Sequence, residues 1–166
     1  MSDSRAWRPV YIGLGSNLDS PGRQIETAFE LLDEIPDTRL IARSSLYRSA
    51  PFGDVEQPDF VNAAAALLTK LSPVELLAQL QEIERVRGRE RGAVRWGPRV
   101  LDLDLLVYSS AVVDEPDLNI PHPGIAERNF VLLPLRELAP DLAIPGLGRV
   151  SNIAVNEQEP CITRIA

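Results

Sequence analysis

Among side chains that bind metals or carry positive charge, three types are nearly missing from this chain: its 166 residues hold one cysteine, Cys161, one lysine, Lys70, and one histidine, His122. A lone cysteine excludes an internal disulfide and fits a reducing compartment. One imidazole and one isolated thiol cannot build a structural zinc site, which takes four nitrogen or sulfur ligands. No apolar run approaches the ~20 residues of a membrane-spanning helix. Met1 to Pro9 has no apolar core of signal-peptide length. The formal net charge of −7 disfavours a general binder of nucleic acid or membrane surface, because such a surface repels phosphates. Phosphate-binding GxxxxGK(S/T) and the kinase HRD and DFG motifs are all lacking. The sequence predicts a cytoplasmic monomer with neither nucleic acid nor membrane as partner.

What is present suits one domain over residues 1–166, with a core at about 10–148 and a tail from 149 to 166; 45% of the residues are hydrophobic. Val10 to Leu14 reads as a strand ending in a Gly-Ser-Asn turn. Ile25, Ala28, Phe29, Leu31, Leu32 and Ile35 recur at helical spacing, and Pro36-Asp37 stops that helix. Arg39 to Tyr47 reads as one extended strand, and Ser49 to Pro58 as a loop. Phe60 to Leu68 admits two readings: its alanines favour helix, while Pro58 and the short length allow strand. Ser72-Pro73-Val74-Glu75 is a helix start with Ser at the N-cap, Pro at N1 and Glu at N3. That helix is expected to bury Leu76, Leu77, Leu80, Ile83 and Val86. Arg87 to Pro98 reads as a mobile loop, Val100 to Tyr108 as a strand, Asp114 to Asn129 as loop, and Phe130 to Leu138 as a short helix. With a strand at Phe60, the order becomes βαββαβ. This predicts an α/β (α+β) ferredoxin-like core, an antiparallel sheet with helices packed on one face.

Chemistry concentrates between positions 85 and 106. Arg85, Arg87, Arg89, Arg91, Arg95 and Arg99 supply six guanidinium groups and no lysine, and the segment runs directly into Val-Leu-Asp-Leu-Asp-Leu-Leu. The interspersed Glu82, Glu84 and Glu90 also allow a solvated charge run. Planar guanidinium forks suit a fixed, multiply charged anion. On a strand, Asp102 and Asp104 share one face while Leu101, Leu103 and Leu105 take the other. Two carboxylates ~7 Å apart are too distant to share a proton but can grip metal ions. Magnesium takes few carboxylates and fills its other positions with water and phosphate oxygens. A half-buried edge strand showing two acids to water gives the same alternation. Metal-binding acids beside an arginine loop are the parts expected for phosphoryl transfer.

Arg95-Trp-Gly-Pro-Arg-Val-Leu-Asp-Leu-Asp-Leu-Leu106 resembles the signature segment of the 6-hydroxymethyl-7,8-dihydropterin pyrophosphokinase family (2-amino-4-hydroxy-6-hydroxymethyldihydropteridine diphosphokinase). Tyr11 to Leu18, Tyr47 to Pro51, Gln57 to Ala63, Ile120 to Pro123 and Glu127 to Leu132 resemble further segments of that family, in order along the chain. The resemblance implies a ferredoxin-like enzyme of folate biosynthesis. Such an enzyme transfers pyrophosphate from ATP to the dihydropterin hydroxymethyl group, releases AMP and uses two magnesium ions.

The resemblance also implies a site. Asp102 and Asp104 match the metal-binding acids, and Arg89 and Arg99 the catalytic arginines that steady the triphosphate. Gln81, Glu84, Arg91, Arg95, Trp96, Leu105, His122 and Arg128 fall at nucleotide-side positions. Ser49, Ala50, Phe52, Phe60, Asn62, Trp96 and Phe130 fall at pterin-side positions. Phe60 and Phe130 match stacking aromatics, and ring stacking contributes ~0.5–1.5 kcal/mol beyond burial. The carboxamide of Asn62 offers both a donor and an acceptor to a pterin edge. The loops at about 49–58 and 87–98 are expected to close over the bound substrates. Two other readings stand on the residues alone: a regulatory nucleotide- or pterin-binding domain without catalysis, and a metal-dependent phosphohydrolase. The first needs neither the acids nor the arginine loop, and the second lacks a residue to activate water.

Overall fold

The computed structural model describes residues 5–51, 56–88, 100–158 and 160–166. Strand β1 (Arg8–Ser16) alternates as its sequence requires. Val10, Ile12 and Leu14 are buried on one face, and Tyr11, Gly13 and Gly15 lie on the other. Helix α1 (Pro21–Asp33) starts with Pro at its first position and buries Ile25, Ala28, Phe29 and Leu32. That spacing makes one continuous stripe.

The single strand expected from Arg39 to Tyr47 is two: β2 (Thr38–Arg43) and β3 (Tyr47–Ser49). The break comes at Ser44, whose hydroxyl accepts the Ala64 amide at 2.8 Å where a main-chain carbonyl would continue the ladder. Phe60–Thr69 is strand β4, and burial on both faces explains its alanines: Ala63, Ala64 and Ala65 are all enclosed. Helix α2 (Pro73–Val86) opens with the expected reciprocal cap, Glu75 N–H to Ser72 Oγ at 3.2 Å and Ser72 N–H to Glu75 Oε1 at 2.9 Å. Its buried line is Leu76, Leu80 and Glu84. Each of the two leucines contributes about 1.5–3 kcal/mol of burial. Val86, expected on that stripe, is 65% exposed. It lies roughly 200° around the helix from Glu84, the residue that occupies the inward position.

Strand β5 (Asp102–Tyr108) follows. The stretch read as loop from Asp114 contains a hairpin, β6 (Val113–Glu115) and β7 (Leu118–Ile120), which buries Leu118 and Ile120. A 3-10 turn (Ile125–Glu127) leads to helix α3 (Asn129–Leu138). Short pairings follow α3. A small ladder joins β8 (Ala143–Ile144) to β9 (Gly148–Arg149), and β10 (Ile162–Arg164) pairs with β3.

Among the described residues, the main sheet runs β10-β3-β4-β1-β5 with β2 also beside β4, and every pairing is antiparallel. The order β5-β1-β4-β2 is that of a ferredoxin-like sheet. The helices are not confined to one face, however. α1 and α2 pack over Val10, Ile12, Leu14, Leu103 and Leu105, while α3 covers the other face with Leu106, Val107, Val131, Leu132 and Leu135. Helix α3 is itself amphipathic and needs an apolar partner surface. Tyr11 and Val107 supply part of it.

Candidate active site

The face covered by α3 carries the chemistry. In the β1–β5 register Asp102 lies opposite Gly15, and Asp104 opposite Gly13. On the far side of β1, Gly15 faces Asn62 and Gly13 faces Ala64. Asn62 in turn pairs with Tyr47, and Phe60 with Ser49. Directly paired residues of an antiparallel sheet project to the same side. Asp102, Asp104, Asn62, Phe60 and Ser49 therefore share one face across four strands. The glycines keep the strip between the acids and Asn62 low: a Cβ on Gly15 would lie 3.0 Å from Asn62 Oδ1.

Asp102 and Asp104 are half-buried, between the fully enclosed Leu101, Leu103 and Leu105 of the opposite face. The buried carboxylate of Glu84 accepts the Leu103 N–H at 2.8 Å from beneath. Glu84, which the resemblance sets at a nucleotide-side position, is buried and fixes the residue between the two acids. Leu105 is also enclosed. Gln81 is exposed on α2.

On the other side of the glycine strip, Asn62 Nδ2 donates to Ser49 Oγ at 2.9 Å, with both residues buried. This bond fixes the direction of the carboxamide. Ala50 N–H donates to Cys161 O at 3.1 Å, so that amide is held by the tail. Phe60 and Phe130 are both half-buried, at the start of β4 and of α3. Asn17, read only as part of a turn, is buried and donates to Gln57 Oε1 at 2.8 Å and Pro58 O at 3.0 Å. It ties the end of β1 to the chain entering β4.

His122 stands past the end of β7, its N–H bonded to Leu106 O at 2.8 Å. Its Nδ1 accepts the Gly124 N–H at 3.0 Å, which requires an unprotonated nitrogen there. Burial lowers the His122 pKa from the ordinary value, Arg128 adds to the lowering, and Asp102 acts in the other direction. Arg128 lies across Gly124 so closely that a Cβ there would sit 2.7 Å from its Nε. His122, Arg128 and the first acid thus interact as one group.

A further cluster went unnoticed in the sequence. Glu137 of α3 accepts from the Ser45 amide at 3.0 and 3.1 Å, the Ser45 hydroxyl at 3.2 Å and the Tyr47 hydroxyl at 2.7 Å. Burial, then the bond to Glu137, push the Tyr47 pKa up to about 12. Only the pairing of one acid with a distant Tyr and Ser reveals it.

Arg89, Arg91, Arg95, Trp96, Arg99 and Phe52, together with residues 52–55 and 89–98 of the two expected closing loops, lie outside the described residues. Those that are described assemble into two halves. Two carboxylates, a hard-oxygen donor set that fits magnesium, stand beside His122 and Arg128. A buried amide and hydroxyl with two aromatic rings lie across the glycine strip.

Residues 11–140 match the family described as 7,8-dihydro-6-hydroxymethylpterin-pyrophosphokinase (HPPK). The 2-amino-4-hydroxy-6-hydroxymethyldihydropteridine pyrophosphokinase of Pseudomonas aeruginosa is 51% identical over 136 residues, covering 82% of this chain and 83% of that protein. The Haemophilus influenzae protein of the same name is 46% identical, covering 82% and 84%. Among solved structures, wild-type Plasmodium falciparum HPPK-DHPS superposes with a TM-score of 0.72 at 15% identity. It covers 92% of this chain and 45% of that one, so the chain spans less than half of it, and the likeness is one of fold.

Proposed function

The chain belongs to the 7,8-dihydro-6-hydroxymethylpterin-pyrophosphokinase family, and from that membership we infer that it transfers a pyrophosphoryl group in folate biosynthesis. The substrates in this reading are ATP and 6-hydroxymethyl-7,8-dihydropterin. The hydroxymethyl oxygen attacks the β-phosphorus and loses its proton, the bond between that phosphorus and the α,β-bridging oxygen breaks, and AMP leaves. The observation that carries the reading is the pair Asp102 and Asp104 on one sheet face, separated by Gly13 and Gly15 from the buried amide of Asn62.

Asp102 and Asp104 would hold magnesium, two ions in the full proposal. Bound there, the metal neutralises phosphate oxygens and stabilises charge developing in the transition state. Arg128, and a neutral His122 through its free nitrogen, bind the nucleotide side. Arg89 and Arg99 steady the triphosphate as charge moves onto AMP; Arg91, Arg95 and Trp96 act with them. Asn62, oriented by Ser49, reads the pterin edge, while Phe60 and Phe130 supply flat apolar faces. Holding the hydroxyl and the triphosphate in fixed register removes most of the entropic barrier to their reaction.

The decisive assay follows nucleotide products from ATP, Mg²⁺ and the dihydropterin, with a control lacking pterin. Pterin-dependent AMP, matched by pterin diphosphate, is the expected result. ADP, or AMP independent of pterin, would overturn the reading.

A further inference from the structure

The family match ends at residue 140, yet the chain beyond it returns to the pterin side of the site. β10 places Ile162 opposite Ser49, Thr163 opposite Arg48 and Arg164 opposite Tyr47. The contact extends past both ends of the strand. Cys161 O accepts the Ala50 amide, Leu46 O accepts the Ile165 amide at 2.8 Å, and Ala166 O accepts the Leu46 amide at 3.0 Å. Every residue from Leu46 to Ala50 is thereby lined by the tail. β3 itself has only three residues, and β4 is its other neighbour in the sheet. Without β10 so short a strand would form the sheet edge and be weakly held.

The same segment grips α3. Asn129 Nδ2 donates to Asn156 O and to Pro160 O, both at 2.6 Å, and Asn129 is 4% exposed. Asn129 stands between Arg128 and Phe130 at the start of that helix. The charge of Arg164 also acts on Tyr47 and Glu137, the pair joining β3 to α3, as a small contribution beside burial and their mutual hydrogen bond. One segment therefore spans the two elements that carry Ser49 and Phe130.

We propose that Asn156 and residues 160–166 form a positioning element for the pterin, holding β3 and the start of α3 at the separation the ring requires. This rests on the functional reading above. Ser49 directs the Asn62 amide, so slack in β3 passes directly to the group that reads the pterin edge. A displacement near 1 Å at a positioning group is enough to cost up to ~100-fold. Among the described residues these contacts fall on β3 and on Asn129, so the larger effect is expected on the pterin.

The test compares the full chain with a chain ending at Val155 and with Asn129→Ala, which keeps the tail but removes its tie to α3. Affinities for 6-hydroxymethylpterin and for a non-hydrolysable ATP analogue are measured by calorimetry, alongside AMP production and thermal melting. The truncated chain is expected to bind pterin about tenfold or more weakly while keeping its affinity for the ATP analogue, with Asn129→Ala shifted the same way by a few-fold. Unchanged pterin affinity in both variants overturns the proposal. So does an equal loss for both ligands, which would make the tail a general stabiliser. If the truncated chain does not fold, Asn129→Ala decides by the same criterion. A full chain that binds pterin but makes no AMP counts against the functional reading alone.

Discussion

Glu84 Oε2 accepts the backbone N–H of Leu103 at 2.8 Å, so a buried acid on one helix fixes the residue that separates Asp102 from Asp104. Removing the carboxylate leaves that enclosed amide without this partner, at a cost of about 1–3 kcal/mol. Glu84→Ala is expected to melt earlier and to need more Mg²⁺ for half-maximal turnover. Glu84→Gln, which keeps an acceptor oxygen, should recover most of both. Melting curves and a Mg²⁺ titration of the rate check this, and an unchanged Mg²⁺ requirement in Glu84→Ala would separate the bond from the acids.

Asp104→Ala is expected to abolish AMP formation while leaving the fold intact, because the side chain is half-buried on a face away from the leucine core. Circular dichroism and product analysis on the same sample provide the check. Near-normal turnover would refute the metal-holding role.

Gly15→Ala tests the low strip. Its Cβ would lie 3.0 Å from Asn62 Oδ1, so the carboxamide has to move. The expected outcome is a pterin KM raised about tenfold, equivalent to about 1.4 kcal/mol, with ATP KM little altered. A loss confined to ATP would place the pterin elsewhere.

His122 sets a pH dependence that can be read directly, since it is the only histidine in the chain. Burial, then Arg128, lower its folded pKa below the unfolded value of 6.5. Between those two values the unfolded chain binds more protons, so stability rises with pH there. It is fully present above the unfolded pKa and declines as pH falls from that value toward the folded pKa. Protonation also removes the acceptor that holds the Gly124 amide. The imidazole proton resonance should titrate below 6.5, and ATP KM should rise in the same acidic window. A midpoint above 6.5 would contradict the burial argument.

Strand β5 was legible in the sequence because its signal is local: acids and leucines alternate over five residues, and a period of two already assigns the faces. The reciprocal cap of Ser72 and Glu75 was legible for the same reason. β10 was not, because its only signal is pairing with a strand far earlier in the chain, and three residues carry no period. The β6–β7 hairpin escaped in the same way. The bond from Leu103 to Glu84 was not legible, because charge reads as surface and nothing local shows that a distant amide needs an acceptor. The packing of α3 on the second face depended on tertiary context. Its residues read as helix, but the sheet surface that receives it is assembled from β1 and β5.

The alternation of β5 also shapes how this protein can change. Leu103 and Leu105 face one helix layer and Asp102 and Asp104 the opposite side, so neighbouring codons are under unrelated constraints. Exchanges among aliphatic residues at 103 and 105 are filtered by folding and tolerated in proportion to their volume. Under the proposed metal-holding role, substitutions at 102 and 104 are expected to pass that filter and to be removed by loss of activity. A variant library selected first for soluble expression and then for growth without external folate would thus sort this strand into two interleaved tolerance profiles.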